Sequence, residues 1–398
     1  MIVEEFDEQK LSDLYICAQC GYCVNICPTY EKTPWESNSP RGKLYFLKAL
    51  SKSHGVGNWL FGPRAKVTEL FAKRVYDCTV CGHCMEVCPV KIDLPHLWKK
   101  LRESIVKVGL APEAVEKTRR SLLQSRNIFD VDNSMRRDWA DYGGVKIKVK
   151  DRAETVYFAG CVTSYSGRVQ GVAESTVAIL NHVDEDWTLL KDEWCCGHPL
   201  AISGATEGFR EFAEHNVKAI ESTGARRVVT ACPGCALALR EEYPEIAGIK
   251  LRFEVLHLTQ LLNEYMEQRR VEIPRLGARV TYHDPCELGR LGGVLEEPRK
   301  VLYQCATELV QPRYEGLNGR CCGSGGLLKG VNLPISEAIA DDRLVALSET
   351  GAEVCVSACP SCVQTLKDAA GRRGKAPQVM DISELVAQQL GLIQATTD

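Results

Sequence analysis

The stretches EWCCGHPL (193–200) and GRCCGSGG (319–326) each set two cysteines side by side and follow them with glycine. A disulfide within such a pair is disfavoured. Neighbouring Cα atoms lie about 3.8 Å apart, short of the roughly 4.4–6.8 Å that a disulfide spans. A loop can instead turn both sulfurs toward one object, with Gly197 or Gly323 taking backbone angles closed to other residues. The simplest such object is a metal cluster.

Working outward, the pairs belong to a long repeat. VYFAGC, ending at Cys161, matches VTYHDPC, ending at Cys286, and CCG at 195–197 matches 321–323. VVTACPGC, ending at Cys235, matches VCVSACPSC, ending at Cys362, and VLHLTQLL (255–262) matches VMDISELV (379–386). Four landmarks in one order at nearly one offset define two copies of a domain. In each copy short β-rich runs lead into cysteines and then into helical segments, which predicts an α/β domain with a mainly parallel sheet. Thr259 and Ser383 are expected as helix N-caps. Sites in such sheets form beyond the carboxyl ends of the strands, where Cys161, Cys232, Cys286 and Cys359 fall. Each copy would therefore converge five sulfurs: Cys161, Cys195, Cys196, Cys232 and Cys235 in the first, Cys286, Cys321, Cys322, Cys359 and Cys362 in the second. A cubane takes four thiolates. With five, one sulfur bridges two irons or one iron carries two thiolates, and either distorts the cube and leaves an iron whose bonds can rearrange. The plainer alternative is one spectator cysteine per copy.

Ahead of the repeat, CAQCGYCVNICP holds Cys17, Cys20, Cys23 and Cys27, and CTVCGHCMEVCP holds Cys78, Cys81, Cys84 and Cys88. Both read C-x2-C-x2-C-x3-C-P, the run of two-cluster ferredoxins, whose fourth cysteine serves the other cluster. The expected groups are Cys17, Cys20, Cys23 and Cys88 on one [4Fe–4S] cubane, and Cys78, Cys81, Cys84 and Cys27 on the other. Zinc would favour two separated CxxC pairs. Ser39-Pro40 and the spacing of Leu44, Leu47 and Leu50 predict a helix between the runs. After the second run, Asp93 is the expected cap, Leu97, Leu101, Ile105 and Val108 the apolar stripe, and Gly109 the stop. Trp98 reads as core. The fold class expected is therefore α+β multidomain: an N-terminal α-helical ferredoxin domain with linker (1–145), then two tandem α/β domains (146–272 and 273–398). The mixed, charged stretch 133–154 marks the first boundary.

The chain has 398 residues and a net charge of −3, which gives no reason to expect nucleic acid or an anionic membrane as partner. No uncharged stretch reaches the length of a membrane span. MIVEEFDEQK at the start lacks the basic and apolar regions of a signal peptide. Twenty cysteines in such a chain suit metal-bound thiolates in a reducing cytoplasm. Membrane association would go through a partner subunit.

The spacings C-x33-CCG-x34-C-x2-C and C-x34-CCG-x35-C-x2-C resemble the CCG domain of heterodisulfide reductases. Twin ferredoxin runs followed by two such domains are similar to the D-type subunits of that family, as are LFGP (60–63), DEWCCG (192–197), YHDPCELGR (282–290), EEPR (296–299) and SACPSC (357–362). The resemblance implies a noncubane [4Fe–4S] cluster on each set of five cysteines, beside the two cubanes. It further implies that the two noncubane clusters face each other and split a disulfide, one electron from each. Related subunits also relay electrons in flavin-dependent D-lactate, glycolate and glycerol-3-phosphate dehydrogenases and in aromatic acyl-CoA reductase complexes, without disulfide chemistry. No flavin or nicotinamide fingerprint is present, so the donor would be a flavoprotein, a b-type cytochrome or another subunit, and the acceptor a small disulfide or thiol. His283 is the first candidate proton donor and His198 the second. Cys305 and Cys355 read as buried small hydrophobes. The glycines of GSGG are expected to give access to the second cluster.

Overall fold

Left-handed backbone recurs at matching points of the two N-terminal cysteine runs. Gln19 and Val80 have φ near +54° and +53°, and Gly21 and Gly82 have φ of +85° and +74°. These turns wrap each run around its sulfurs before a one-turn helix, Tyr22–Asn25 or His83–Glu86, carries the fourth cysteine away. In the computed structural model, residues 8–51, 67–374 and 376–394 are described. The LFGP motif lies outside them.

The chain forms two compact units. The first comprises residues 1–119 together with two later segments, 199–206 and 320–340. Its core is helical. Ser39 caps helix Pro40–Ser51 by accepting a hydrogen bond from the Gly42 amide at 2.9 Å. Asp93 caps Leu94–Lys107 through the His96 amide. Leu44, Leu47, Leu97, Trp98, Leu101 and Ile105 pack in one cluster, as their spacing predicts. Val108 departs from the expected stripe: the helix ends at Lys107, so Val108 is the C-cap residue and half exposed, and Gly109, with φ of +70°, turns the chain away after it.

One buried cation holds the first unit together. Arg102 is fully buried and donates to the carbonyl oxygens of Ile202, Gly326, Val75 and Cys78 at 2.8–3.3 Å. Tyr76, under its guanidinium, donates to the Ser203 carbonyl at 2.8 Å. The late segments can approach this closely because they carry glycine. A Cβ on Gly326 would collide with the Cys78 oxygen, and one on Gly325 would stand 2.6 Å from the Thr79 oxygen. Gly325 and Gly326 of GSGG thus serve close packing on the second ferredoxin run, which corrects their reading as an access route.

The second unit, residues 120–198, 207–319 and 341–398, contains both sheets of the repeat. Strands β1 (Thr155–Tyr157), β2 (Trp187–Thr188), β3 (Arg227–Thr230) and β4 (Glu254–His257) form a parallel sheet of order β2-β1-β3-β4. Strands β5 (Leu276–His283), β6 (Ala306–Val310), β7 (Val354–Ser357) and β8 (Gln378–Asp381) repeat it as β6-β5-β7-β8. The central strands β1 and β7 are buried throughout, as sheets covered on both faces require. Helix Gln170–His182 of the first copy packs on Ile382–Gln389 of the second. Leu258–Glu267 of the first packs on Glu296–Cys305 of the second. Equivalent helices exchange roles, so the copies are related by a local two-fold.

The caps of the last helix in each copy lie two residues before the expected Thr259 and Ser383. His257 and Asp381 end their strands and cap in the same step. His257 Nδ1 accepts from the Thr259 amide at 3.2 Å and Gln260 reaches back to the His257 amide, while Asp381 and Glu384 form the same box. Cys305 and Cys355 are fully buried, and burial pushes both thiols up to about 12.

Gly326→Ala and Gly248→Ala both replace a left-handed glycine, but a Cβ on Gly248 meets nothing within 4 Å. Gly248→Ala is expected to cost about 1 kcal/mol, and Gly326→Ala several times that, read by denaturant unfolding. Burial pushes His257 down from 6.5 to about 4. Its neutral form caps the helix, so the stability is fully present above about pH 6.5 and falls as pH drops toward 4, by roughly 3 kcal/mol. His257→Asn, which caps without titrating, is expected to flatten that slope in unfolding measured against pH.

Candidate metal centres

The ferredoxin-like runs converge in crossed groups. Cys17, Cys20, Cys23 and Cys88 line one hollow, and Cys27, Cys78, Cys81 and Cys84 line another. Cys20 is exposed, whereas Cys27 and Cys81 are buried. Each hollow also receives one cation from the first turn of helix Pro40–Ser51: Arg41 at the first and Lys43 at the second. The sequence shows both residues but gives no sign of their direction. Burial pushes the thiols of Cys23 and Cys27 up to about 11, and Lys43 partly opposes this at Cys27.

In the second unit, the strand order reverses between β1 and β3, and a crevice opens beyond their carboxyl ends. Cys161 opens the short helix after β1, Cys195 and Cys196 follow β2, and Cys232 caps the short helix Pro233–Leu237 after β3. All five sulfurs meet there. Hydrogen bonds link Cys161 to Cys195, Cys195 to Cys196, Cys196 to Cys235, and Cys235 to Cys232. Donation from Cys195 and Cys235 draws Cys196 down to about 7, while the bond with Cys195, and then burial, push Cys161 well up. None of these cysteines is in a disulfide.

The backbone is shaped for the sulfurs. Gly197 and Gly323 take φ of +83° and +90°, the freedom that the paired cysteines require. Asn216 accepts from the Trp194 amide and donates to the Cys195 carbonyl, clamping the pair from both sides at 3.0–3.1 Å. Gly160 has φ of +79°, and a Cβ there would lie 2.9 Å from the Cys235 sulfur. Glu193 accepts from the Ala159 and Gly160 amides at 2.9–3.0 Å and fixes the turn that delivers Cys161. Five soft donors in a glycine-lined crevice fit an iron–sulfur cluster and exceed the four ligands of zinc.

The second copy presents its own cysteines on matching elements. Cys286 begins a one-turn π segment, Glu287–Leu291, and its carbonyl accepts from the Arg290 and Leu291 amides. Cys359 caps helix Pro360–Arg373, and Cys362 lies in its first turn. Cys321 and Cys322 belong to the 320–340 segment of the first unit, where the Gly323 amide donates to the Cys321 sulfur at 3.3 Å. The cysteine-bearing ends of the two copies are packed together. Cys161–Tyr165 lies against Pro360–Arg373, and Pro233–Leu237 lies against Glu287–Leu291.

Two domain-model matches cover this architecture. A 4Fe-4S dicluster domain matches residues 13–92, and a cysteine-rich CCG domain matches 155–240 and 280–367. The chain is 36% identical over 395 residues to the D-type subunit of the dihydromethanophenazine:CoB–CoM heterodisulfide reductase of Methanosarcina acetivorans, covering 96% of this chain and 95% of that one. The chain belongs to the family of heterodisulfide reductase D-type subunits. It is also 26% identical to the EtfAB:quinone oxidoreductase of Syntrophomonas wolfei, over 96% of this chain and 59% of that one. A crystal structure of a hypothetical protein from Helicobacter pylori shares the fold with a TM-score of 0.56 at 9% identity, covering 98% of this chain and 74% of that one. As a member of this family the chain is an iron–sulfur oxidoreductase component.

The two histidines singled out in the sequence have opposite environments. His283 ends β5, fully buried. Burial, with Arg343 as second cause, pushes it down to about 3. Arg343 Nε donates to its Nδ1 at 2.9 Å, so the ring is neutral with its proton on Nε2. A ring nitrogen of His283 lies within 4.8 Å of the Cys362 sulfur. His198 lies between Glu242 at 3.0 Å and Glu287 at 3.2 Å, one carboxylate from each copy. Burial alone would lower it, but the two carboxylates raise it to about 10 and keep both ring nitrogens protonated. Nothing in sequence spacing pairs residues this far apart. Among the described residues no helix is long and apolar enough to cross a membrane.

Gly160→Ala tests the fit directly. The variant is expected to lose about four irons per chain by colorimetric assay while keeping the ferredoxin-type paramagnetic signals.

Proposed function

We propose that this chain carries electrons through two cubanes, on Cys17, Cys20, Cys23 and Cys88 and on Cys27, Cys78, Cys81 and Cys84, to two noncubane centres that reduce a disulfide. The noncubane sets are Cys161, Cys195, Cys196, Cys232 and Cys235, and Cys286, Cys321, Cys322, Cys359 and Cys362. The observation that carries this reading is the meeting of five free thiols at one strand-order reversal, in a copy whose cysteine-bearing helices pack on those of the other. When bound, such clusters supply one-electron transfer and, with five thiolates, an iron whose coordination can change.

The residues around the sulfurs hold them for this work. Glu193 and Asn216 fix the two loops that enter the first set, and Gly160 makes room for it. Arg343 holds His283 neutral, so the ring can offer Nε2–H to the Cys362 side as a hydrogen bond but does not fit the proton-donor role expected of it from the sequence. His198 ties the copies together between two carboxylates. The domain division 1–145, 146–272 and 273–398 belongs to the same reading. So do a separate electron donor (a flavoprotein or b-type cytochrome), any membrane contact through that partner, and a cytoplasmic location.

A second reading, relay without disulfide chemistry inside a flavin-linked complex, draws on the likeness to the quinone oxidoreductase. One experiment separates the two. Anaerobically reconstituted protein should hold about sixteen irons. Reduced and then treated with the CoB–CoM heterodisulfide, it should give a new paramagnetic signal that Cys196→Ala or Cys322→Ala removes. Full iron with no response to any disulfide leaves the relay.

A further inference from the structure

The 133–142 stretch, ahead of the first repeat, carries a short 3-10 turn, Asn133–Arg137, and a one-turn helix with buried Trp139. Arg136 points from it into the first five-thiolate crevice and is 4% exposed. Its Nη2 donates to the Cys161 sulfur at 3.6 Å, to Asn133 Oδ1 at 3.1 Å and to the Arg126 carbonyl at 3.5 Å. Its Nη1 donates to Glu193 Oε1 at 2.9 Å, and its Nε to Asn133 Oδ1 at 3.2 Å. The Tyr165 ring lies 5.2 Å from the guanidinium carbon. The group is therefore held from every side, and its orientation is fixed.

A guanidinium keeps its proton at any pH the fold survives. Burying it beside Glu193 is expensive, and such a pair is a weak source of net stability. A second role explains its retention better. Hydrogen bonds and positive charge at a cluster sulfur favour the reduced form, because each added electron places negative charge there. The partner carboxylate spends its other contacts on the Ala159 and Gly160 amides, so the turn carrying Cys161 and the cation touching it are fixed by one group. The segment carrying Arg136 precedes the repeat, and the position of the second copy that matches Glu193 is Gly319, so the pair is peculiar to the first copy.

We propose that Arg136 is a positioning residue of the first five-thiolate site, donating Nη2–H to Cys161 and raising the reduction potential of the cluster held there. This rests on the five-thiolate reading above. The two copies then differ electrically despite their shared fold.

The test is stepwise reduction of the full reconstituted chain with dithionite, followed by paramagnetic resonance. Arg136→Met combined with Glu193→Gln removes the cation without stranding a buried anion, and the glutamine oxygen still accepts from one of the two backbone amides. One of the reduction waves is expected to move to lower potential while the ferredoxin waves hold. Arg136→Lys, which keeps the charge but not the forked donor, is expected to move the same wave less far. Unmoved waves at full iron content overturn the proposal. Should the double variant lose iron from the site, the lysine variant decides, and a wild-type potential there overturns it. Wild-type iron confined to the ferredoxin module sinks the five-thiolate reading, and this inference with it.

Discussion

Parallel strands deliver their following loops to one edge, and that constraint governs the second unit. Each strand of the first copy ends at the same side of the sheet, so cysteines scattered from 161 to 235 reach one crevice without any local pattern bringing them together. The reversal of order between β1 and β3 opens the space that five sulfurs need. Glycine then decides the detail. A side chain at 160 would occupy the room of the Cys235 sulfur, and one at 197 would block the turn that lets neighbouring cysteines face the same way.

The charged groups follow a different logic. Arg102, Arg136 and Arg343 are each nearly or fully buried. Arg102 donates to four backbone carbonyls, Arg136 to a carboxylate and a thiol, and Arg343 to an imidazole. A buried cation needs an anion or many dipoles. Positive charge near clustered thiols is consistent with a protein that balances the negative charge of thiolate-bound iron.

The readable features were those written in local order. The crossed cysteine groups follow from spacing alone, because the run length fixes which sulfur each turn carries away. The repeat was readable because four landmarks recur at one offset. The helix caps were displaced by two residues because His257 and Asp381 close a strand and open a helix at once, a double duty that a helix pattern does not reveal. Val108 was misplaced because the apolar periodicity runs one residue beyond the end of the helix at Lys107. The partners of Arg102, Arg136 and His198 were beyond reach, since nothing local links Arg102 to Gly326, or Glu242 to Glu287. Membership of 199–206 and 320–340 in the first unit has the same cause: their glycines matter only once the facing backbone is known.

The clasp made by Arg102 bears on the order in which the chain is built. During synthesis the ferredoxin cysteines leave the ribosome long before residues 202 and 326 exist. Until then the guanidinium has only the carbonyls of Val75 and Cys78 within its own stretch. The N-terminal unit is finished by the last third of the polypeptide, so an excised ferredoxin fragment would carry an incompletely solvated cation in its core.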